Sequence, residues 1–491
     1  MLTPIRYNNF EGLLNAGVSD FLLSDNELTA CKNVWVYQIG KLQKVPGYSK
    51  ATSTQLSSAV LYLHHYTDAI NSDDYLLAVS NSGSNLTISQ RQEGTYSTVS
   101  GIGSSLNGFA NARVSMLNYL SKTFMVGCKG DSDFLPSAII EGNTYSTSDA
   151  NLTDMPKAKY IVNYKNTIFI GNCEVGGTRY PSRVYYSEPP VAGQISWDVL
   201  NDFLVFGVED GDEITGMGVA VDNLIVFKRY SMWRYDDSSK SMMKIANIGC
   251  DNHNSIKEIA GTLYWSNRKG VYRWRGSYPE LVSAKAQRYF DRVDQTTLSN
   301  QVAVLFNEDE YRIFIGDITI DNLFYENTWF CWNTVREQCY IRCTIHKANS
   351  ACDYIEGGKR RAYFGTSNGY TMKFAMPADE VFSDDENEID SFFITRAFDH
   401  GVPEQIKFTS SLIVFSNYAT GMKCAIEKDN SKVFSEANLP LLRKNVEYKD
   451  LTGEAHRFRY KFYEKGDGRP WEFEGFVVLT QIKEDVKRVN L

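Results

Sequence analysis

Residues 197–235 read WDVLNDFLVFGVEDGDEITGMGVAVDNLIVFKRYSMWRY. An acidic, glycine-bearing turn, Glu209-Asp210-Gly211-Asp212-Glu213, leads into the short apolar strand Ile214-Thr215-Gly216-Met217. Asp222-Asn223 supply a tight reversal, Leu224 to Lys228 the next strand, and Ser231 to Tyr235 the one after. Asx and Gly residues reach the backbone angles that short hairpins need. The β-branched and aromatic residues between them fit a pleated, half-buried surface. Three strands joined by tight turns make one unit of a β-meander.

The same unit recurs on both sides. Between Ala59 and Phe374 short strand groups begin near Leu61, Ala112, Ala158, Ile256, Val302 and Tyr340, with turn signals such as Asn166, Gly261 and Ser367-Asn368-Gly369 between strands. A period of about 40–60 residues without a long helix is the sequence pattern of a propeller. A four-stranded sheet cannot bury both faces alone, whereas neighbours packed around a ring bury them for each other. The expectation is all-β: a β-propeller of six or seven divergent blades over residues 59–376. No WD or kelch signature accompanies it.

The flanks differ in kind. Residues 1–58 read as an arm. Ser24, with Glu27 three residues on, matches a capping box, which predicts a short helix over Asp25 to Lys32. The arm is expected either as a strap on its own chain or as a reach towards a neighbouring subunit. Residues 377–390, carrying Ser383-Asp384-Asp385-Glu386-Asn387-Glu388, read as an acidic linker. Residues 391–491 hold at least five alternating segments, the pattern of a small β-sandwich.

Bulk properties narrow the function. At 491 residues the chain exceeds one compact core, so two or three domains are expected. Its 30 Tyr and 27 Phe favour strands. A net charge of −8 argues against a surface built to grip nucleic acid or anionic lipid. No run of 18 apolar residues occurs, so no membrane insertion is expected. The N-terminus lacks the basic-then-apolar pattern of a secretory signal, which predicts folding in a reducing cytoplasm.

Catalytic and metal chemistry find little support. The nine cysteines are scattered without a paired C-x-x-C, as expected of buried thiols. His64 and His65 are adjacent on a strand and face opposite sides. Glu209, Asp210, Asp212 and Glu213 could in principle hold calcium or act as paired carboxylates, but no EF-hand loop surrounds them. No G-x-S-x-G, P-loop, H-E-x-x-H or sialidase-type box appears. No enzyme activity and no cofactor are expected; a glycan-binding or glycoside-processing propeller is the alternative. Trp233-Arg234-Tyr235 interleaves rings and a guanidinium as nucleic-acid platforms do. On a strand, however, both rings share one face, which is the pattern of core packing.

Four segments in order carry a resemblance. They are Phe10-Glu11-Gly12-Leu13-Leu14-Asn15 with Pro46-Gly47-Tyr48, then Asp210 to Met217 with Asp222 to Lys228, then Gly261 to Ser266 with Gly270 to Gly276, and finally Phe398-Asp399-His400-Gly401-Val402-Pro403 with Phe473 to Phe476. Together they resemble the tail nozzle, or tail tubular, proteins of short-tailed bacteriophages, often labelled head–tail connector or stabilisation proteins. Family members more often carry two glycines where this chain has Gly12-Leu13.

The resemblance implies a structural virion protein of the tail, synthesised in the host cytoplasm. It implies a homo-hexameric ring below the portal and adaptor, touching fibres or other tail parts. Double-stranded DNA would pass through without specific binding. An acidic wall suits such a conduit, with Glu209, Asp210, Asp212, Glu213, Asp384, Asp385 and Glu386 as candidate lumen residues. Phe10, Leu13, Leu14, Phe21, Leu22 and Leu23 are the candidate subunit contacts, so removing Met1 to Asn26 would leave a folded monomer.

Overall fold

The computed structural model describes residues 3–483 apart from 21, 69–72, 93, 418–421, 430, 432, 437–445, 449–452 and 466–469. It is all-β, with 56% strand and 5% helix.

The central stretch forms a four-stranded antiparallel sheet from Ile214–Ala220, Asn223–Lys228, Met232–Asp236 and Ser241–Ala246, neighbours in chain order. Ala220 pairs with Asn223, so the reversal falls on Val221-Asp222, one residue before the expected place. Both residues are left-handed, at φ 50° and 54°. Six further sheets follow the same plan, over residues 60–98, 113–146, 157–205, 257–281, 303–343 and 348–374. The first strand of each packs on the first strand of the next. That succession runs Val60–Asp68, Arg113–Tyr119, Lys157–Tyr164, Ile214–Ala220, Lys257–Ile259, Ala303–Phe306, Ala348–Glu356, and the last packs back on Val60–Asp68.

Alternation explains why Leu224-Ile225-Val226-Phe227 is apolar throughout. Leu224 and Val226 enter a cluster with Phe169, Leu204 and Phe206 of the preceding sheet. Ile225 and Phe227 enter a different one, with Trp265 and Trp274 of the following sheet. Successive side chains point to opposite faces, and here both faces are covered. Each such side chain, fully buried, contributes about 2–3 kcal/mol. Gly216 answers the same crowding: a Cβ there would stand 2.6 Å from Ile256 Cδ1 and 3.2 Å from His253 Cα.

The seventh sheet is completed from the other end of the chain. Its strands Ala348–Glu356, Lys359–Thr366 and Thr371–Phe374 are joined by Tyr48–Lys50, with Phe374 opposite Tyr48. Residues 377–390, expected as a linker, extend this sheet: Ser383–Asp384 and Asn387–Glu388 pair with each other, and Asp384 lies beside Tyr48.

The remaining strands make two sheets that draw on both termini. One contains Thr3–Asn8, Val34–Trp35, Leu42–Lys44, Lys407–Asn417 and Glu472–Ile482; the other contains Leu13–Leu14, Glu27–Lys32, Ser391–Thr395, Lys423–Lys428 and Phe458–Glu464. They meet through aromatic rings, with Phe462 at 4.7 Å from Phe473 and Phe393 at 4.8 Å from the same ring.

The helix expected over Asp25 to Lys32 is instead the strand Glu27–Lys32, antiparallel to Ser391–Thr395. The Glu27 carboxylate does accept the Ser24 N–H at 3.1 Å, so the local signal was real. Pairing with a strand more than 360 residues away overrode it.

Candidate functional site

The acidic turn sits where the chain leaves the outer strand Phe203–Val205 of one sheet and enters the first strand of the next. It borders an open cleft of about 710 Å³, shared with Arg179, Tyr180, Arg183, Arg229 and Tyr230. Three of its four carboxylates are already engaged. Asp210 takes both oxygens to the buried Lys228 ammonium, at 2.6 and 2.7 Å. Burial works against ionisation there, but Lys228 and the Asp212 N–H hold the Asp210 carboxyl below the usual range. Asp212 accepts the N–H groups of Arg229 at 3.2 Å, Tyr230 at 3.0 Å and Glu213 at 2.9 Å. Glu213 pairs with Arg179, with Arg229 at 3.2 Å, and with Asn172 Nδ2 at 3.1 Å. Glu209 is exposed and has no polar partner among the described residues. The arrangement is a turn clamped by cations, with one carboxylate left over for solvent.

The second acidic group divides in the same way. Asp384 is 2% exposed and lies against the Arg342 guanidinium. Burial outweighs that cation and pushes the Asp384 carboxyl up to about 6. Its expected place on a lumen wall is therefore corrected: it faces the interior of its own chain. Asp385 is held by Lys50 and His346, each at 3.2 Å, and Glu386 is exposed.

Of the residues expected at a subunit contact, Phe10, Leu13, Leu14 and Leu23 are buried within this chain. Leu22 is 74% exposed, and Phe21 lies outside the described residues. Phe10 packs between Phe393, Phe473 and Phe476, so the arm's apolar residues are engaged by its own C-terminal strands.

Trp233 and Tyr235 pack with Phe206 and Phe169 between two sheets. His64 and His65 diverge, the first to Asn118 Oδ1 at 2.8 Å and the second to Asp74 Oδ1 at 2.7 Å. All nine cysteines are free and buried. Among the described residues no group of three or more His, Cys, Asp or Glu is placed to hold a metal.

One polar region escaped the sequence entirely: the axis around which the seven first strands stand. His253 reaches across it, its ring 5.1 Å from Tyr160 and Nε2 3.3 Å from Ser115 Oγ. Burial lowers the His253 imidazole to about 4, so it is neutral near pH 7. A hollow of about 180 Å³ holds Tyr62, His64, Lys257 and Asp353. A wider one of about 320 Å³ opens at the starts of the first strands. Both touch Asn254. No local motif announces either, because the contributors are spread from residue 59 to residue 353.

No family model matches the chain. No curated protein matches it. Among solved structures, the extracellular domain of a putative hybrid two component system from B. thetaiotaomicron is similar at 10% identity and TM-score 0.43, over 88% of this chain and 59% of that one. The extracellular domain of a putative one component system from the same organism is similar at 9% identity and TM-score 0.42, over 91% of this chain and 62% of that one. The computationally designed Ika8 protein is similar at 10% identity and TM-score 0.35, over 67% of this chain and 100% of that one. The chain thus spans about three fifths of the length of the two bacterial domains. Likenesses at these scores carry no argument about function.

Proposed function

We propose that the seven successive sheets are the blades of a seven-bladed β-propeller, and that the chain is a structural subunit of a short-tailed bacteriophage tail nozzle. Six copies form a ring below the portal and adaptor, through which double-stranded DNA leaves the capsid. The propeller reading is supported by the cyclic packing of the seven first strands and by the strand Tyr48–Lys50 that the chain start lends to the seventh sheet.

The nozzle reading is carried by the collinear resemblance of four segments, three of which fall where the chain passes from one sheet to another. Phe10 to Leu14 enters the two-sheet unit, and Asp210 to Met217 opens the fourth ring sheet. Gly261 to Gly276 supplies the middle strands of the fifth, and Phe398 to Pro403 links two strands of the two-sheet unit. The role is mechanical. Closed rotational symmetry gives every subunit the same head-to-tail contact. A wall of the same sign as phosphate offers DNA no sticking points.

The deciding experiment is to image the purified chain and the intact particle by electron microscopy, with the mass of the free species measured alongside. Rings of six, and density for this chain at the tail, are expected. A monomer absent from tail density that retains glycans would replace this reading with the carbohydrate-binding alternative.

A further inference from the structure

We propose that the wider mouth of the ring's axis binds a small anionic sugar, a hydroxylated ring bearing a carboxylate or a phosphate. The proposal rests on the axial hollow alone and stands or falls apart from the nozzle reading.

The first observation is charge. The chain carries 59 acidic and 51 basic residues, yet the lining of this mouth includes Arg113 and Lys347 and no carboxylate. Neither cation makes an ion pair among the described residues; Arg113 reaches only Asn300 Oδ1, at 3.4 Å. Lys228, Arg312 and Arg342, by contrast, are held by buried carboxylates or by the acidic turn. Outside the lining, Asp294 accepts the Thr297 N–H and hydroxyl at 2.8 Å each and also feels the Lys347 charge. Two cations at one concave place whose lining holds no carboxylate attract an anion.

The second is the kind of polar group between them. The side chains of Asn254 and Asn349 line the mouth and make no hydrogen bond among the described residues. Each amide offers two donors and an acceptor, the set that reads vicinal hydroxyls. Leu61 and Phe314, also in the lining, offer apolar surface to the C–H face of a ring. The volume of about 320 Å³ is at the low end of small-molecule sites, which fits one sugar unit rather than a chain. These groups come from the first, second, fifth and seventh sheets or the segments leading into them and from the sixth sheet, so the site exists only when the ring is closed.

Titration calorimetry on the full chain tests this with glucuronate, glucose 6-phosphate, glucose and inorganic phosphate. At least one of the two anionic sugars binds in the millimolar range or tighter, with glucose and inorganic phosphate at least 10-fold weaker. Which anionic sugar wins decides between carboxylate and phosphate. Arg113→Ala with Lys347→Ala, both on exposed positions, weakens the better ligand at least 10-fold with an unchanged melting temperature, and Asn349→Ala weakens it independently. Absence of heat from both anionic sugars overturns the proposal. So does equal binding of inorganic phosphate or of glucose, or undiminished binding by the double variant.

Discussion

Lys44 Nζ lies 3.0 Å from Glu464 Oε2, and both side chains are buried, at 0% and 1% exposure. The pair ties the strand Leu42–Lys44 to Phe458–Glu464, which belong to opposite sheets of the unit made from the two chain ends. A buried charge stripped of its partner is costly, whereas an apolar replacement of both can be nearly neutral. Lys44→Met should therefore lower the unfolding free energy by about 3–5 kcal/mol. Lys44→Met with Glu464→Leu should recover most of that loss. Chemical denaturation of the three proteins gives the comparison, and an additive double variant would show that the pair is not coupled.

The arm is built into the core of its own chain, which changes what its removal should do. Thr3–Asn8 pairs along six residues with Asn8↔Gly475 to Thr3↔Thr480, and Phe10 is 2% exposed among aromatic rings. Phe10→Ala is expected to cost about 3–5 kcal/mol. Loss of residues 1–26 should expose the aromatic layer and aggregate the protein. A truncated chain that stays folded with an unchanged melting temperature would show instead that these strands are dispensable for the fold.

Val221 is a β-branched residue held at φ 50° and 48% exposed. Left-handed backbone is costly for such a side chain and easily adopted by Asn, and the exposed methyls contribute little packing. Val221→Asn should stabilise by about 0.5–1 kcal/mol, read as a raised melting temperature. Val221→Ile should give no gain.

The neutral His253 on the axis makes stability depend on acid. Its folded pKa, near 4, lies below the ordinary value of 6.5. The stabilisation is therefore complete above about pH 6.5 and is lost as pH falls towards 4. The term is at most about 3 kcal/mol. His253→Gln should flatten the denaturation midpoint between pH 6.5 and 4 relative to the parent. Lys257 acts in the same direction by repelling the imidazolium, so Lys257→Met should leave a shallower loss.

If carboxylates keep passing DNA off the wall, the test belongs on those that hold nothing else. Glu209 and Glu386 qualify, being exposed and without a polar partner among the described residues. Glu209→Lys and Glu386→Lys particles should assemble normally and eject their genome more slowly, with the effect reduced at high salt. Ejection at the parental rate would remove these acids from the lumen. Asp384→Lys is no substitute, since it would bury a cation against Arg342.

Local chemistry announced the strands of the central meander, because short β-branched and aromatic runs bounded by Asx residues act within a few residues. Leu224 to Phe227 and Met232 to Tyr235 could be read for that reason, as could the packing of the Trp233 and Tyr235 rings on one face. The cysteines, too, declared themselves as core thiols by their isolation. Tertiary contacts decided the rest. Glu27–Lys32 became a strand because Ser391–Thr395 offered it hydrogen bonds that a short capped helix could not match. Asp384 left the surface because Arg342, 42 residues earlier, was there to receive it. The mouth between the first strands gathers Arg113, Asn254 and Lys347 from distant parts of the chain, and spacing along a sequence carries no trace of which sheets will pack together. Patterns of two and four residues report the neighbours along a strand, while sites and seams are made by residues that only folding brings together.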